Sequence, residues 1–339
     1  MRLTESILRK IIAEESAKIL APRKRSLASY IFEEVQWGSK YEAFVSALAG
    51  NANDPKVKAF ISAGQLDKNP DDDKFTFAEI PLPVSKLRPT QNEIDVDKSL
   101  SYPMAKPSDF VNFVKGGKVF APGGNAIVTY NGQYVIDGHH RWSQVYACNS
   151  EASIQAIDIQ LPGLNPLDVL KAVQAAIAIS AGKVPMQSVK GSNLLKVDKA
   201  GLESWMSKSV SMKFYGVIGS NPEVMEILRS KVKPGVSEAD EPVDVSEESY
   251  REAQDLVINY IWKNVSTMQA ESQPVDGAPK RDFMPQTDDV DWKTPLEKGL
   301  VDIAEPHADP TQIPTAAESR SRYDDLIIER WQKMAGLLK

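Results

Sequence analysis

Residues Tyr134 to Tyr146 read YVIDGHHRWSQVY, and this segment carries the strongest indication of the fold. Its first half is apolar and β-branched, which predicts a strand, and its second half carries apolar side chains at helical spacing. Gly138 stands between the halves, and two of the three histidines of the chain follow it directly. The pattern therefore predicts a strand that turns at a glycine into a helix, with polar side chains gathered at the turn.

A turn of this kind is suited to binding an anion. The first backbone N–H groups of a helix have no partner within the helix, and the helix dipole places partial positive charge beside them. Gly138 lets a ligand approach the backbone, Arg141 adds a planar guanidinium, and His139 and His140 add ring donors. Together with Asp137, these residues are the candidate phosphate-binding set.

Two other interpretations of the same turn stay open. In the first, one imidazole is buried and hydrogen-bonded for stability, and Arg141 only pairs with a carboxylate. In the second, the histidines and Asp137 bind a metal ion. Neighbouring histidines point in different directions and the sequence places no further ligand nearby, so we predict no metal site.

The segment from Ile80 to Leu100, IPLPVSKLRPTQNEIDVDKSL, is the second candidate. A short strand enters a Pro-Thr turn, and polar residues follow before a helix start. Glu93 is placed to act as a general base, Asp95 as a second acid, and Gln91 as a ligand contact. The alternative is a capped, solvated helix start over residues 91–97 with a purely structural role.

The rest of the chain predicts an α+β protein, with a small mixed sheet and its helices embedded in a mostly helical chain. Alternation in KFTFAEI and SIQAIDIQL indicates strands, and Asn131-Gly132 indicates a hairpin with a two-residue turn. An Ala-rich helix is expected over 166–181, and further helices in KAGLESWMSKSV, NPEVMEILRSKV and SYREAQDLVINYIWKNVSTM. Residues 270–318 lack periodicity and are rich in Pro and Asp, so we expect them to wrap over the surface or to be mobile.

These elements divide the chain into five segments. They are an N-terminal helical region over 1–68, the α+β domain over 69–162, a helical extension over 163–233, an acidic, Pro-rich linker with one amphipathic helix over 234–318, and a C-terminal amphipathic helix over 319–339.

Composition narrows the class of protein. The chain has 339 residues, a net charge of −6 and one cysteine, so a disulfide framework and a cysteine-rich zinc site are excluded. The net negative charge argues against a protein that binds nucleic acid over its whole surface. No run reaches the roughly 18 apolar residues of a membrane span, and the N-terminus does not read as a secretory signal. We expect an intracellular protein with no membrane partner.

The two segments together resemble the ParB/sulfiredoxin superfamily, specifically its ParB-like nuclease-domain branch. The resemblance rests on VSKLRPTQNEID and YVIDGHHRWSQV and covers roughly residues 75–160, under a third of the chain. The Asp-Gly-His-His-Arg form of the second box is similar to that of the free-serine kinases of the superfamily.

The resemblance implies that Gly138, His139, His140 and Arg141 contact the phosphates of a nucleotide or nucleic acid. The implied ligand is a nucleoside triphosphate or diphosphate with Mg²⁺. Glu93 matches the carboxylate that activates a hydroxyl in the kinase branch, and with the two histidines it forms the candidate catalytic set for phosphoryl transfer or phosphodiester hydrolysis.

The sequence departs from two other branches of the superfamily. Position 139 is a histidine where the sulfiredoxins have a cysteine, and Cys148 lies beyond the turn, so sulfinic-acid repair is disfavoured. No DNA-reading helix-turn-helix is evident over 166–232, so a role in plasmid or chromosome segregation is disfavoured as well.

The chain ends carry a second resemblance. LTESILRKIIAEES and LIIERWQKMAGLLK are similar to terminal peptides on proteins of large tailed marine bacteriophages, and IAEE resembles the cleavage context of prohead proteases. This implies a phage protein in the cytoplasm of the infected host or in the virion, whose terminal amphipathic helices dock on other phage proteins. The competing function is a virion structural or assembly protein that keeps the fold as a scaffold. A DNA-binding module is the third hypothesis, and the net charge favours it least.

Overall fold

A computed structural model describes residues 69–182, 191–232, 247–281, 284–301 and 303. The predictions about both terminal amphipathic helices and about most of the acidic stretch near residue 240 lie outside these residues.

The strands of the described chain are β1 (Thr76–Pro83), β2 (Arg88–Pro89), β3 (Val119–Phe120), β4 (Ile127–Tyr130), β5 (Tyr134–Asp137) and β6 (Ser153–Gln160). The helices are α1 (Val96–Ala105), α2 (Pro107–Lys115), α3 (His139–Cys148), α4 (Pro166–Ala181), α5 (Lys199–Ser209), α6 (Met212–Gly219), α7 (Pro222–Val232), α8 (Glu247–Glu271) and α9 (Lys293–Glu297). Short 3₁₀ turns lie at Val84–Lys86 and Pro122–Gly124.

The strands of the described residues form one mixed sheet in the order β1-β6-β4-β5-β2, and β3 pairs with β6 off this path. β1 runs antiparallel to β6, and β4 antiparallel to β5, whereas β6 and β4 are parallel, as are β5 and β2. The coarse prediction of an α+β protein with a mixed sheet is confirmed.

The two faces of the sheet bury separate hydrophobic clusters. Because side chains alternate along a strand, Ile127 and Val135 point to one cluster and their neighbours Val128 and Ile136 to the other. The first cluster is completed by α1, α2, α3 and α5 to α8, and the second by α4 and residues 284–303. The sheet thus holds α3 on one face, with the start of that helix at the end of β5.

The hairpin predicted from Asn131-Gly132 is present. Both residues have positive φ, 55° and 64°, and Gln133 N–H donates to the Tyr130 carbonyl at 3.1 Å. The loop between the paired Tyr130 and Tyr134 has three residues, so the predicted two-residue length was wrong by one. Asparagine and glycine tolerate the left-handed backbone better than other residues, so the local signal was sufficient here.

The chain after α8 differs from the expectation of a surface wrap or a mobile segment. Met284, Trp292 and Leu296 are buried in the second hydrophobic cluster, at 2%, 4% and 0% exposure. Their spacing follows neither a helical nor a strand period because the backbone is mostly irregular, and periodicity therefore missed them. Residues beyond 162 supply buried side chains to both clusters, and the five-segment division stays a prediction.

The predicted helix over 166–181 matches α4 at both ends, and α6 was missed because its eight residues include two glycines. None of the helices in the described residues combines the length and apolarity required for crossing a membrane.

Candidate functional site

The two candidate segments meet at one edge of the sheet. β2 and β5 are neighbouring parallel strands, with Arg88 opposite Tyr134 and Pro89 opposite Val135. Their carboxyl ends therefore emerge side by side, where ligands commonly bind in α/β sheets. Thr90 and Gln91 continue from β2 at this edge, and Gly138 continues from β5.

Gly138 makes the turn into α3. Its φ of 87° lies in the left-handed region, and a Cβ at this position would stand 2.6 Å from Cγ2 of Ile127. Among the described residues no side chain caps the N-terminus of α3. The first backbone N–H groups of the helix are thus left for solvent or a ligand.

His139 is held by the first segment. Its Nε2 accepts a hydrogen bond from the backbone N–H of Thr90 at 3.1 Å, and its side chain is 3% exposed. Burial lowers the pKa of His139 well below its ordinary value, and the positive fields of His140 and Arg281 lower it further, against a bond to Val135. The ring is neutral, with its proton on Nδ1.

His140 is held in the same way by a different residue. Its Nε2 accepts from the backbone N–H of Asp95 at 3.2 Å. Burial, followed by the charges of Arg281 and Lys98, lowers the pKa of His140 to about 3. Both imidazoles are therefore neutral acceptors that tie the turn to the 90–95 segment.

Asp95 has a structural contact of its own. Its carboxylate accepts from the N–H groups of Asp97 and Lys98, at 2.8 and 3.3 Å, and caps α1. The structure thus matches the capped helix start, although Asp95 is buried rather than solvated. It is not among the residues that line the cleft described below.

Arg141 and Asp137 face each other across the turn. Nη2 of Arg141 lies 3.9 Å from Oδ2 of Asp137 and 4.0 Å from Oδ1 of Asp288. At these distances the carboxylates attract the guanidinium without saturating its five N–H donors. Asp137 also accepts the hydroxyl of Thr287 at 2.6 Å, and burial raises its pKa against the opposing effects of Thr287 and Arg141.

These groups surround a cleft of about 480 Å³, which is within the size range of small-molecule sites. Six of the eight candidate site residues line it: Gln91, Asp137, Gly138, His139, His140 and Arg141. The other two do not, since Asp95 caps α1 and Glu93 is half-buried in the loop before α1. The other lining residues are Tyr102, Pro122, Gly123, Asn125, Gln144, Arg281, Met284, Gln286 and Asp288.

The second wall of the cleft comes from the chain after α8, which runs along the first segment. Val275 N–H donates to the Pro89 carbonyl at 3.1 Å, and Asn92 N–H donates to the Pro279 carbonyl at 2.9 Å. With the chain placed in this way, Arg281 lines the cleft. Sequence reasoning missed Arg281, and the available signal was the basic pair Lys280-Arg281 in an otherwise acidic, Pro-rich stretch.

Two glutamines of the lining are buried without a partner for their amide nitrogen. Gln91 is 1% exposed and Gln144 is 5% exposed, and Nε2 of each makes no hydrogen bond. Leaving a buried donor unsatisfied costs about 1–3 kcal/mol, so such groups in a folded protein call for an explanation. Both amides line a cleft that a ligand can enter, and an acceptor on that ligand would satisfy them.

The other chemistry considered from the sequence has little geometry behind it. The described residues hold no group of three or more His, Cys, Asp or Glu side chains placed to bind a metal ion. Cys148 is fully buried in α3, and burial raises the pKa of its thiol, so it is not a nucleophile in this environment.

No protein-family model, curated protein or solved structure matches this chain. Its function is therefore inferred from the geometry of the cleft and from the residues that line it.

Proposed function

We propose that the cleft binds the phosphate groups of a nucleotide. The observation that carries the proposal is the convergence of an uncapped helix N-terminus at Gly138, the cations Arg141 and Arg281, and the unpaired buried amide of Gln91 on one cleft. Each of these features favours an anion with several acceptor oxygens.

Two carboxylates in the cleft bear on how the phosphates are bound. Asp137 and Asp288 line it and repel an anion, and the arginines offset only part of this repulsion. Carboxylate and phosphate oxygens together are the ligands that Mg²⁺ prefers. Magnesium would therefore enter with the phosphates, and we expect tighter binding in its presence.

The likeness of the two boxes to the ParB-like branch supports a nucleotide as the ligand and a ParB/sulfiredoxin-like identity for the sheet domain. Within this proposal the chain is a phage-encoded ParB-like domain protein. Nucleic-acid phosphate is the alternative form of the same ligand, since either source presents the same oxygens to the turn.

Catalysis by the predicted set has less support than binding. Nε2 of both His139 and His140 already accepts a backbone N–H, and Glu93 does not line the cleft. Phosphoryl transfer or phosphodiester hydrolysis would require Glu93 to reach a hydroxyl or water in the bound complex. Loss of nucleotide turnover in Glu93→Gln, with binding retained, is the result that would support that role.

Calorimetry with ATP, ADP and CTP, with and without Mg²⁺, tests the binding proposal. We expect Arg141→Ala and Arg281→Ala each to weaken binding about 10- to 150-fold, because hydrogen bonds to charged groups contribute about 1.5–3 kcal/mol. Lys208→Ala is the matched control, since it removes one positive charge from an exposed position outside the cleft. Absence of binding by the wild type, or equal affinity in the arginine variants, would contradict the proposal.

The competing hypothesis of a virion component rests on the chain ends, which lie outside the described residues. Mass spectrometry of purified particles tests it separately, and absence of the chain from particles counts against it.

A further inference from the structure

The cleft contains a second set of residues that phosphate binding does not use. Tyr102, Gln144 and Met284 line it, and none of them carries a charge. The cleft is therefore chemically divided between the cationic turn at 137–141 and a neutral part built from an aromatic ring, an amide and a thioether.

The neutral part lies between two packed helices. Ser99 of α1 and Ser143 of α3 share a hydrogen bond between their hydroxyls at 2.9 Å. Tyr102 is three residues after Ser99, and Gln144 directly follows Ser143, so both lie within about one helical turn of this contact. Gln144 is also six residues after Gly138, which separates it along α3 from the uncapped helix end.

Tyr102 is an aromatic side chain left open to a ligand. It is 42% exposed, and Lys106 contacts it from one side. Nζ of Lys106 lies 4.5 Å from the ring centroid and donates to the Tyr102 hydroxyl at 3.2 Å. A ring fixed in this way loses little freedom when a second flat group stacks on it.

Gln144 supplies the directional element. Its amide nitrogen is buried and unpaired in the free protein, so it is available to donate to an acceptor of the ligand. An amide donor discriminates between flat heterocycles by the position of their carbonyl or ring-nitrogen acceptors, because a ligand without a matching acceptor leaves the buried donor unpaired.

We propose that Tyr102 and Gln144 form a nucleobase subsite, in which the base stacks on Tyr102 and accepts a hydrogen bond from the Gln144 amide. The inference rests on the proposed function, since it assigns the base end of a ligand whose phosphates lie at Gly138. It identifies the ligand as a nucleotide whose base is read, rather than a polyphosphate of any kind.

The test compares inorganic tripolyphosphate with ATP, CTP, GTP and UTP, each with Mg²⁺, by calorimetry on the full chain. We expect the wild type to bind the preferred nucleotide more tightly than tripolyphosphate. Tyr102→Ala should weaken nucleotide binding about five- to 150-fold, the range found when a stacking ring is removed, and leave tripolyphosphate binding unchanged. Tyr102→Phe keeps the ring and should bind nucleotide nearly as the wild type does.

Gln144→Met provides the second measurement. The substitution keeps the length of the side chain and removes the amide, so it should reduce the difference in affinity among the four nucleotides. The amide nitrogen that it removes has no partner in the free protein, so the loss of this group should not lower the melting temperature. A lowered melting temperature with unchanged base preference would assign Gln144 to the fold and overturn its role in the subsite.

The outcomes separate the two proposals. If neither tripolyphosphate nor any nucleotide binds, the phosphate site is wrong and the subsite fails with it. If tripolyphosphate binds as tightly as every nucleotide, or if Tyr102→Ala weakens both ligands equally, the phosphate site stands and the nucleobase subsite is overturned.

Discussion

The two ends of β5 have the same local ingredients and different chemistry. At one end, the Asn131-Gly132 turn closes the hairpin with β4, and at the other, Gly138 opens α3, both through glycines with positive φ. At the hairpin end, Asp158 accepts from Gly132 N–H and from the Thr129 hydroxyl, each at 2.8 Å.

At the Gly138 end, the helix start has no side-chain cap among the described residues, and two buried amides nearby lack partners. The polar groups described at one end of the strand are satisfied, whereas some of those at the other end are not, and the proposed ligand site rests on this difference. If this difference between the closed end and the open end of β5 is real, substitutions at the two ends should have different effects on stability and on binding.

Glycine is required more strictly at the open end. Gly138→Ala should destabilise the protein by about 2–5 kcal/mol, because the positive φ costs about 1–2 kcal/mol and the clash with Ile127 about 1–3 kcal/mol. Gly132→Ala is the control, because Gly132 also has positive φ, at 64°, but its Cβ would meet nothing nearer than Cδ2 of Leu82 at 3.8 Å; it should lose about 1–2 kcal/mol. Urea unfolding measures the free energy of unfolding of both variants. Equal losses in the two variants would show that Ile127 does not clash with a side chain at position 138.

Substitutions at the closed end of β5 should change stability and leave ligand binding unchanged. Asp158→Ala leaves two donors without their acceptor and should lower the free energy of unfolding by about 2–3 kcal/mol. Asp158→Asn keeps an acceptor oxygen and should lose less. Nucleotide affinity, measured by calorimetry in both variants, should equal that of the wild type; a marked drop would mean that the two ends of β5 do not act separately.

The neutral histidines predict how stability depends on pH. The pKa values of both histidines are lowered in the folded protein. Below pH 6.5 the unfolded chain therefore binds protons that the folded chain does not bind, and the free energy of unfolding falls as the pH falls. Each ring contributes at most about 1.4 kcal/mol per pH unit.

Unfolding free energies between pH 7 and 5 measure this slope, and the window excludes most carboxylate titration. The slope should flatten in His140→Gln. A wild-type protein whose stability does not change over this range would show that the rings are protonated, with Nε2 no longer accepting from Thr90 and Asp95.

The smallest loss of stability is expected at the unpaired amide nitrogen of the open end. Gln91→Met should not lower the free energy of unfolding and should raise it by up to about 1–3 kcal/mol, because the buried Nε2 that it removes makes no hydrogen bond in the free protein. The same variant should bind nucleotide more weakly in the calorimeter. Loss of stability on the scale of Asp158→Ala would mean that Gln91 has a partner within the fold and does not serve a ligand.

Local signals predicted the parts of the site that depend on nearby residues. Gly138 between a β-branched run and a helical run located the turn, and Asn131-Gly132 located the hairpin. Both depend on backbone conformations that few residue types adopt, so the residue itself carries the information.

Contacts between residues far apart in the sequence could not be predicted from local sequence patterns. Arg88 Nε donates to the Gln273 carbonyl at 3.1 Å across 185 residues of sequence, and nothing in either segment marks the other as its partner. The second wall of the cleft, with Arg281, depends on this pairing and was missed for that reason. Glu93 lies outside the cleft for a similar reason, since distant residues determine the path of its loop. The loop before α1 is held by hydrogen bonds to residues 278–279 and 193.

The histidines show a third limit. Their residue type marked the site, but whether they donate or accept depends on burial and on which backbone N–H they meet. Sequence reasoning gave them ring donors for phosphate, whereas Nε2 of each ring accepts from Thr90 or Asp95. In the proposed site the turn would present backbone N–H groups and the guanidinium to the ligand, while the two rings connect the turn to Thr90 and Asp95.

A crystal structure of the chain grown with ATP and Mg²⁺ would show whether phosphate binds at the start of α3. We expect phosphoryl oxygens about 3 Å from the first backbone N–H groups of α3, beside Gly138, with the Arg141 guanidinium turned toward them. Density for the nucleotide elsewhere on the surface, or none at saturating ligand, would contradict the assignment of this cleft to phosphate.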